Sequence, residues 1–206
     1  LDDNSIASPE FTTFRAGTYI FSLVVNDGLA VSPADEVAVV VSSNEAELSA
    51  QRIAFSSLRV DGNTLDIWTM DGDGDNLVQI TSGGWSSHPS WSPDGTRIAF
   101  RRAEEVGGAI YVMNADGSDL RNLTAGKGSD GNPAWSPDGL KIAFWSDRNI
   151  WTMDLSGNRR TIRASGDVSG GPSWSPDGGQ IAFPSNGDIF VIDSDGQNPA
   201  NLTLSD

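Results

Sequence analysis

The stretch Trp91-Ser92-Pro93-Asp94-Gly95-Thr96-Arg97-Ile98-Ala99-Phe100 decides the fold, because the chain repeats it. It returns at residues 135–144 as WSPDGLKIAF and at residues 174–183 as WSPDGGQIAF. Successive copies lie about 40 residues apart, and self-similarity at such a period indicates a solenoid, a propeller or an array. The sequence therefore predicts a repeat protein.

Each copy of the stretch predicts a β-hairpin. In the first copy, Pro93 presets φ at the second turn position, Asp94 suits the third, and Gly95 takes the positive φ that follows. The tryptophan belongs to the strand that enters the turn, and Ile-Ala-Phe belongs to the strand that leaves it. The residues that define the repeat are Trp91, Pro93, Asp94, Gly95, Trp135, Pro137, Asp138, Gly139, Trp174, Pro176, Asp177 and Gly178.

Two further strands are predicted after each hairpin. Short β-prone runs at 110–113, 150–153 and 189–192 are each followed by a polar turn and a last short strand. Four antiparallel strands in about 40 residues are typical of a propeller blade. The units resemble TolB-like β-propeller repeats, which are relatives of the WD-type repeats. The resemblance covers residues 51–206, with units at 51–82, 88–125, 132–164 and 172–204, and implies an all-β propeller of about four four-stranded blades.

The first 43 residues do not share this repeat. They contain an alternating strand with large residues at Tyr19, Phe21, Leu23 and Val25, a turn at 26–28, and a returning strand with Val37, Val39 and Val41. The segment resembles the last strands of a PKD-like, immunoglobulin-type β-sandwich, and the polar residues 44–50 resemble a linker. We therefore expect a partial immunoglobulin-like domain at 1–43 before the propeller.

Both predicted domains look incomplete. An immunoglobulin-like sandwich needs about seven strands, and the first propeller unit begins at Ile53 with no Trp-Ser-Pro-Asp-Gly strand before it. One interpretation is that the chain is a fragment of a longer sandwich and ring. The other is that neighbouring copies complete the sheets by strand addition. In that case the seven alternating residues named above form the self-association surface.

Charge and composition exclude several classes of protein. The chain has 13 basic and 28 acidic side chains and a formal net charge of −15, the wrong sign for contact with a nucleic-acid backbone. It has no cysteine for disulfides or thiolate metal sites, and no apolar run long enough for a membrane span. The family resemblance implies a prokaryotic protein that is extracellular, on the cell surface or periplasmic.

One acidic turn partly matches the sequence pattern of a calcium-binding loop. Asp71, Asp73 and Asp75 alternate like the first ligands of a calcium loop. The pattern then fails, because Asn76 replaces the required glycine and Ser82 stands where a bidentate glutamate is needed. We interpret the stretch as the acidic hairpin turn of the repeat, with calcium binding as the alternative, and predict no other cofactor.

The sequence does not favour an enzyme. His88 is the only histidine, so any serine or cysteine nucleophile would depend on it. It precedes Pro89, where the later units carry Asn132 and Gly171. We therefore interpret His88 as a position of the repeat rather than a catalytic base, and predict a non-enzymatic protein.

Two tryptophans fall outside the repeated aromatic positions. Trp91, Trp135 and Trp174 recur in phase, as do Trp68, Tyr111, Trp151 and Phe190, which indicates packing between blades. Trp85 and Trp145 belong to neither series and are the candidates for binding a ligand, such as a glycan or a protein.

Two functions follow from these observations. In the first, the chain is a scaffold or recognition module that presents the loops at its blade edges to a protein or a glycan. In the second, it is a structural subunit of a filament or lattice in which neighbouring copies complete its sheets. Both predict protein partners, including other copies of the chain.

Overall fold

The computed structural model describes residues 17–23, 35–41, 52–58, 64–72, 74–105, 107–125, 128–162 and 168–203. Within these residues every regular element is a β-strand, and no helix is long and apolar enough to cross a membrane. The strands, in chain order, are β1 Gly17–Leu23, β2 Asp35–Val41, β3 Arg52–Ser57, β4 Asp66–Asp71, β5 Val78–Gln79, β6 Ser86–Trp91, β7 Arg97–Ala103, β8 Gly108–Asn114, β9 Arg121–Asn122, β10 Gly131–Trp135, β11 Lys141–Ser146, β12 Asn149–Asp154, β13 Arg159–Ile162, β14 Ser173–Trp174, β15 Gln180–Ser185, β16 Asp188–Asp193 and β17 Ala200–Asn201.

These strands form successive antiparallel sheets in which the order in the sheet follows the order in the chain. Strands β6–β9 form blade 2, β10–β13 form blade 3, and β14–β17 form blade 4, each with four strands. Blade 1 is the five-stranded sheet β1–β5. The all-β fold and the four-stranded blades are confirmed.

The Ser-Pro-Asp-Gly turns are held by the hydrogen bonds of the motif itself. In blade 2 the Ser92 hydroxyl donates to Asp94 Oδ1 at 2.6 Å, and the Arg97 amide donates to Ser92 Oγ at 2.9 Å. Gly95 has a φ of 68°, where a side chain would be strained. A methyl group on Gly139 would lie 3.7 Å from the Pro93 ring of the neighbouring blade. The motif therefore shapes each turn and also stacks neighbouring turns.

The repeated tryptophans lie between blades. Trp91 is 6% exposed and packs in a cluster with Ala54 and Ile67 of blade 1. Trp135 is 8% exposed and packs in a cluster with residues of blade 2, including Ile110. Each buried indole therefore joins its own blade to the preceding one, since the flanking apolar residues come from both sheets.

The first propeller unit, which begins at Ile53 without a motif strand, has a strand paired before it in the structure. Strand β2 pairs with β3, with Ala38 opposite Ala54 and Val39 opposite Ile53. In blade 2, Trp91 lies opposite Ile98, so Val39 holds the register position of the missing repeat tryptophan. Backbone hydrogen bonding does not require the motif, and β2 therefore takes the place beside β3 that the motif strand takes in the other blades.

The immunoglobulin-like N-terminus is not supported. Strands β1 and β2 pair along their full length, but their sheet continues into blade 1 instead of ending before it. Val25 and the linker 44–50 lie outside the described residues. Of Tyr19, Phe21, Leu23, Val37, Val39 and Val41, the structure describes the strand and its register and not the side chains.

Candidate functional site

The topology sorts the loops into two ends of the propeller. Neighbouring strands of a blade are antiparallel, so its first and third strands run in the same direction. The turns that follow those two strands therefore lie at one end, and the Ala115 amide of one turn donates to the Thr96 carbonyl of the other at 2.9 Å. The remaining hairpins and the connections between blades lie at the opposite end.

The first end, which we call the acidic end, consists of the turns at 71–76, 92–96, 114–118, 136–140, 154–158, 175–179 and 193–198. These turns contain aspartates and no lysine or arginine. In Asp94, Asp138 and Asp177 a hydrogen bond from the preceding serine hydroxyl is the main cause that lowers the carboxyl pKa. The carboxylates therefore stay charged at neutral pH, and Arg97 and Lys141 lie close enough to Asp94 and Asp138 to lower their pKa values further.

A groove of about 500 Å³ lies on the acidic end between blades 2 and 3. Its walls are the two Ser-Pro-Asp-Gly turns, with Asp94, Arg97, Trp135 and Leu140 among the lining residues. The Asp94 carboxylate accepts hydrogen bonds from Ser92 and Thr96, and the Trp135 ring is buried. The groove is therefore lined by groups that the turns already use.

The candidate calcium turn lies on the acidic end and resembles its sister turns. The Asn76 amide donates to Asp71 Oδ2 at 2.5 Å, and in the last blade Asn198 donates to Asp193 Oδ2 at 2.7 Å. Asp73 lies outside the described residues. Among the residues that are described, no group of three or more acidic or histidine side chains is arranged to hold a metal ion.

The opposite end carries an exposed aromatic residue. Trp85 is 53% exposed, although its carbonyl accepts a hydrogen bond from the Ala103 amide at 2.8 Å and so extends the ladder between β6 and β7. The backbone is therefore ordered while the indole faces solvent. Of the two tryptophans outside the repeat, this one has the surface that a partner can reach.

Arg102 lies in a defined slot beside Gly84, the residue that precedes Trp85. A methyl group on Gly84 would lie 2.7 Å from Arg102 Nε, so the guanidinium packs directly against the glycine backbone. Its carbon Cζ also lies 5.8 Å from the centre of the Tyr111 ring, within the range of a cation–π contact. The phenol of Tyr111 donates to Glu104 Oε1 at 2.5 Å, and its pKa is raised by burial and by that carboxylate.

Arg101 lies in a second slot on the other face of the blade, because neighbouring residues of a strand point to opposite faces. A methyl group on Gly108 would lie 2.6 Å from Arg101 Nε, and one on Gly131 would lie 3.4 Å from its Cδ. The guanidinium is also 3.5 Å from the Gly107 carbonyl oxygen. Glycines from two blades therefore leave room for this side chain.

Trp145 and His88 both lie in the framework of the blades. Trp145 is partly buried, packs against the cluster between blades 3 and 4, and donates from Nε1 to the Val168 carbonyl at 2.8 Å. His88 lies at an irregularity in β6 with a φ of 54°, and Asn132 has a φ of 52° at the same point of β10. Such a φ is tolerated best by glycine, asparagine, aspartate and histidine.

Sequence reasoning missed both arginines, although the repeat carried a signal. Counting from the repeated Ile-Ala-Phe, the position of Arg102 is taken by Ser146 in blade 3 and Ser185 in blade 4, and both serines are buried. A long cation at a position that is otherwise a small buried residue marks blade 2 as different. Alignment of the repeats therefore points to this end of blade 2.

The chain is similar to several solved structures. The putative TolB from Agrobacterium tumefaciens is 26% identical, with a TM-score of 0.67, and the match covers 74% of this chain and 61% of that chain. A chain of a nidogen/laminin complex is 13% identical with a TM-score of 0.65, covering 90% and 78% of the two chains. Oligogalacturonate lyase in complex with manganese is 15% identical with a TM-score of 0.55, covering 82% and 49%. The last two likenesses show the fold alone.

The family model also matches. The model described as the TolB beta propeller domain matches residues 11–205, which include β1 and β2 as well as the four repeated units. This agrees with the sheet in which β2 completes blade 1. The chain belongs to the TolB β-propeller family.

Proposed function

We propose that the chain is a non-enzymatic scaffold that binds another protein at the end of the propeller opposite the Ser-Pro-Asp-Gly turns. The observation that carries the proposal is the exposed Trp85 at the same end of blade 2 as the slotted Arg101 and Arg102. Tryptophan, tyrosine and arginine are the residues in which binding energy concentrates at protein interfaces. An ordered backbone under an exposed indole also limits the entropy lost on binding.

The fold supports this proposal. Blades packed through buried tryptophans form a rigid base, and functional residues are commonly carried on loops that such a base positions. A chain of a nidogen/laminin complex shares the fold, as does a lyase, so the fold alone does not select binding or catalysis. We assign binding rather than catalysis because His88, the only histidine in the sequence, takes the positive φ at the irregularity in β6.

Membership of the TolB β-propeller family supports a location outside the cytoplasm. We place the protein outside the cytoplasm, in the periplasm or on the cell surface, where a scaffold of this acidic composition meets protein partners. A glycan partner is the less favoured alternative, because Trp145, one of the two aromatic candidates, is partly buried and its Nε1 is already hydrogen-bonded.

The proposal is tested by capture and calorimetry. The immobilised chain should retain a protein from a bacterial periplasmic extract, and the purified partner should bind with a micromolar or tighter Kd. Trp85→Ala should weaken this binding by about 30-fold, as expected for a residue at the centre of an interface. Leu140→Ala is the control, because Leu140 is also exposed but lies on the acidic end. Retention of no protein, or equal affinity for wild type and Trp85→Ala, would refute the proposal.

A second candidate is the self-assembling subunit. Among the described strands, β1 pairs with β2 alone, so its other edge is open to strand addition. A neighbouring copy that adds a strand there would give a head-to-tail contact, which produces a closed ring or an open filament.

A further inference from the structure

We infer that the end of blade 2 is a carboxylate-binding site in which Arg101 and Arg102 hold an acidic peptide segment of the partner protein. The inference rests on the proposed protein binding and names the chemistry of the segment that is bound. It rests on three observations: the two arginines have no ion-pair partner among the described residues, glycines leave a slot for each of them, and Trp85 is exposed at the same end of the blade.

Neither Arg101 nor Arg102 has an ion-pair partner among the described residues. Within the part of the chain that the structure describes, the ion pair is Arg121 with Asp119 at 3.4 Å. No described carboxylate lies within ion-pair distance of Arg101 or Arg102, although the chain has 28 acidic side chains. The nearby Glu104 accepts from the Tyr111 hydroxyl instead. Both guanidinium groups therefore keep their capacity to pair with a carboxylate from outside.

The slots hold both guanidinium groups in place before any ligand binds. Arg102 lies between the Gly84 backbone and the Tyr111 ring, and Arg101 lies across Gly108 towards Gly131. A planar guanidinium that is already oriented loses less side-chain entropy when it forms a bidentate pair with a carboxylate. The geometry is therefore that of a prepared site and not of two freely moving surface chains.

The arrangement favours an extended peptide over a single anion. Arg101 and Arg102 leave β7 on opposite faces of the sheet, because neighbouring residues of a strand alternate between its faces. One carboxylate cannot pair with both groups. An extended chain with acidic residues two or three positions apart spans about 7–10 Å, and the exposed Trp85 supplies apolar contact for an intervening side chain.

The overall negative charge does not prevent this binding. The acidic end is at the far side of the blades, and at physiological ionic strength charges farther apart than about 8 Å are largely screened. A ligand at the end of blade 2 therefore responds mainly to the local charges, which are the two guanidinium groups and the exposed carboxylates of Glu104 and Glu105. The same negative charge makes nucleic acid an unsuitable ligand.

The test measures fluorescence anisotropy with a fluorescein-labelled decapeptide of alternating glutamate and serine. The full chain should bind it with a micromolar Kd that weakens as salt rises, and a lysine–serine decapeptide should not bind. The double variant Arg101→Gln with Arg102→Gln should weaken binding by about tenfold or more, as loss of charged contacts does. The control is Arg97→Gln with Arg121→Gln, which makes the same charge change elsewhere and should leave Kd within about twofold.

Two further variants separate position from charge. Gly84→Ala and Gly108→Ala keep the net charge but place a methyl group less than 3 Å from a guanidinium. Both glycines have ordinary φ values, so the arginine side chain moves and the backbone does not need to. Each variant should weaken binding of the acidic peptide while its melting temperature stays near that of the wild type.

Several outcomes would overturn the inference. Equal weakening by the control pair would mean non-specific attraction, and binding of an oligogalacturonate but not of the peptide would mean an acidic glycan. Salt-sensitive dimers that depend on Arg101 and Arg102, without peptide binding, would mean that a second copy is the occupant. If the captured partner binds wild type and the double variant equally, the carboxylate site fails while the proposed protein binding stands. If the chain captures no protein, or if capture does not depend on Trp85, both the proposed protein binding and the carboxylate site fail.

Discussion

Replacing Trp135 with alanine should lower the free energy of unfolding by about 3–5 kcal/mol. The side chain is 8% exposed and packs in one cluster with Ile110 and Val112 of blade 2 and with Phe144 of its own blade. A tryptophan that buries about 150–250 Å² at about 25 cal/mol per Å² contributes about 4–6 kcal/mol. Alanine keeps part of this area, and partial collapse of the cavity lowers the loss further.

The assay for this variant is guanidinium denaturation followed by far-ultraviolet circular dichroism, extrapolated linearly to zero denaturant. Leu140→Ala is the matched control, because Leu140 is 66% exposed and its truncation should change stability by less than about 0.5 kcal/mol. Trp135→Phe should recover most of the lost stability, because Trp135 Nε1 is buried with no hydrogen-bond partner in the described part of the chain. A loss below about 1 kcal/mol for the alanine variant would refute packing between blades as the role of the repeated indole.

Three further results are expected. Asp138→Asn should reduce the loss of stability that acid causes, because the Ser136 hydroxyl lowers the folded-state pKa of Asp138. The carboxylate contributes stability above its unfolded pKa of about 4, and this contribution disappears as pH falls through the lower folded value. A plot of melting temperature against pH identical to that of the wild type would contradict this. Asp71→Asn combined with Asp75→Asn should leave the melting temperature unchanged with and without millimolar calcium, and a calcium-dependent rise that the double variant abolishes would establish a cation site. Deleting residues 1–43 removes the strand paired with β3, so the truncated chain should associate more strongly than the full chain in sedimentation velocity, and monomers in both cases would count against it.

The turns were predictable because their causes are local. Ser92, Asp94 and Gly95 form the hydrogen bonds and the positive φ within a few residues of one another, so the same five residues produce the same turn in blades 2, 3 and 4. The period of about 40 residues then implied blades, because a single four-stranded unit cannot bury its apolar faces and must pack against neighbouring units.

The first blade was not predictable in the same way. Strand β2 joins β3 through backbone hydrogen bonds, with Val39 in the register of Trp91. The side chains of β2 carry no trace of the repeated motif, and a backbone ladder is nearly independent of residue type. A strand that alternates large residues suits the sheet of a sandwich and the sheet of a blade equally well, so only the tertiary pairing could decide between them.

The candidate site shows the same division. From the sequence alone, Trp85 stood outside the aromatic repeat and became a ligand candidate, whereas Arg101 and Arg102 were ordinary charged residues in a strand. Their slots depend on Gly84, Gly108 and Gly131, which lie in three different elements. The repeat thus determined the turns and the blades through contacts close in sequence. The site depends on tertiary structure, because folding brings glycines that are distant in sequence against the two arginines and leaves one indole exposed at the same end of the blade. Nothing in the neighbouring sequence shows which side chain will fill the space beside a glycine.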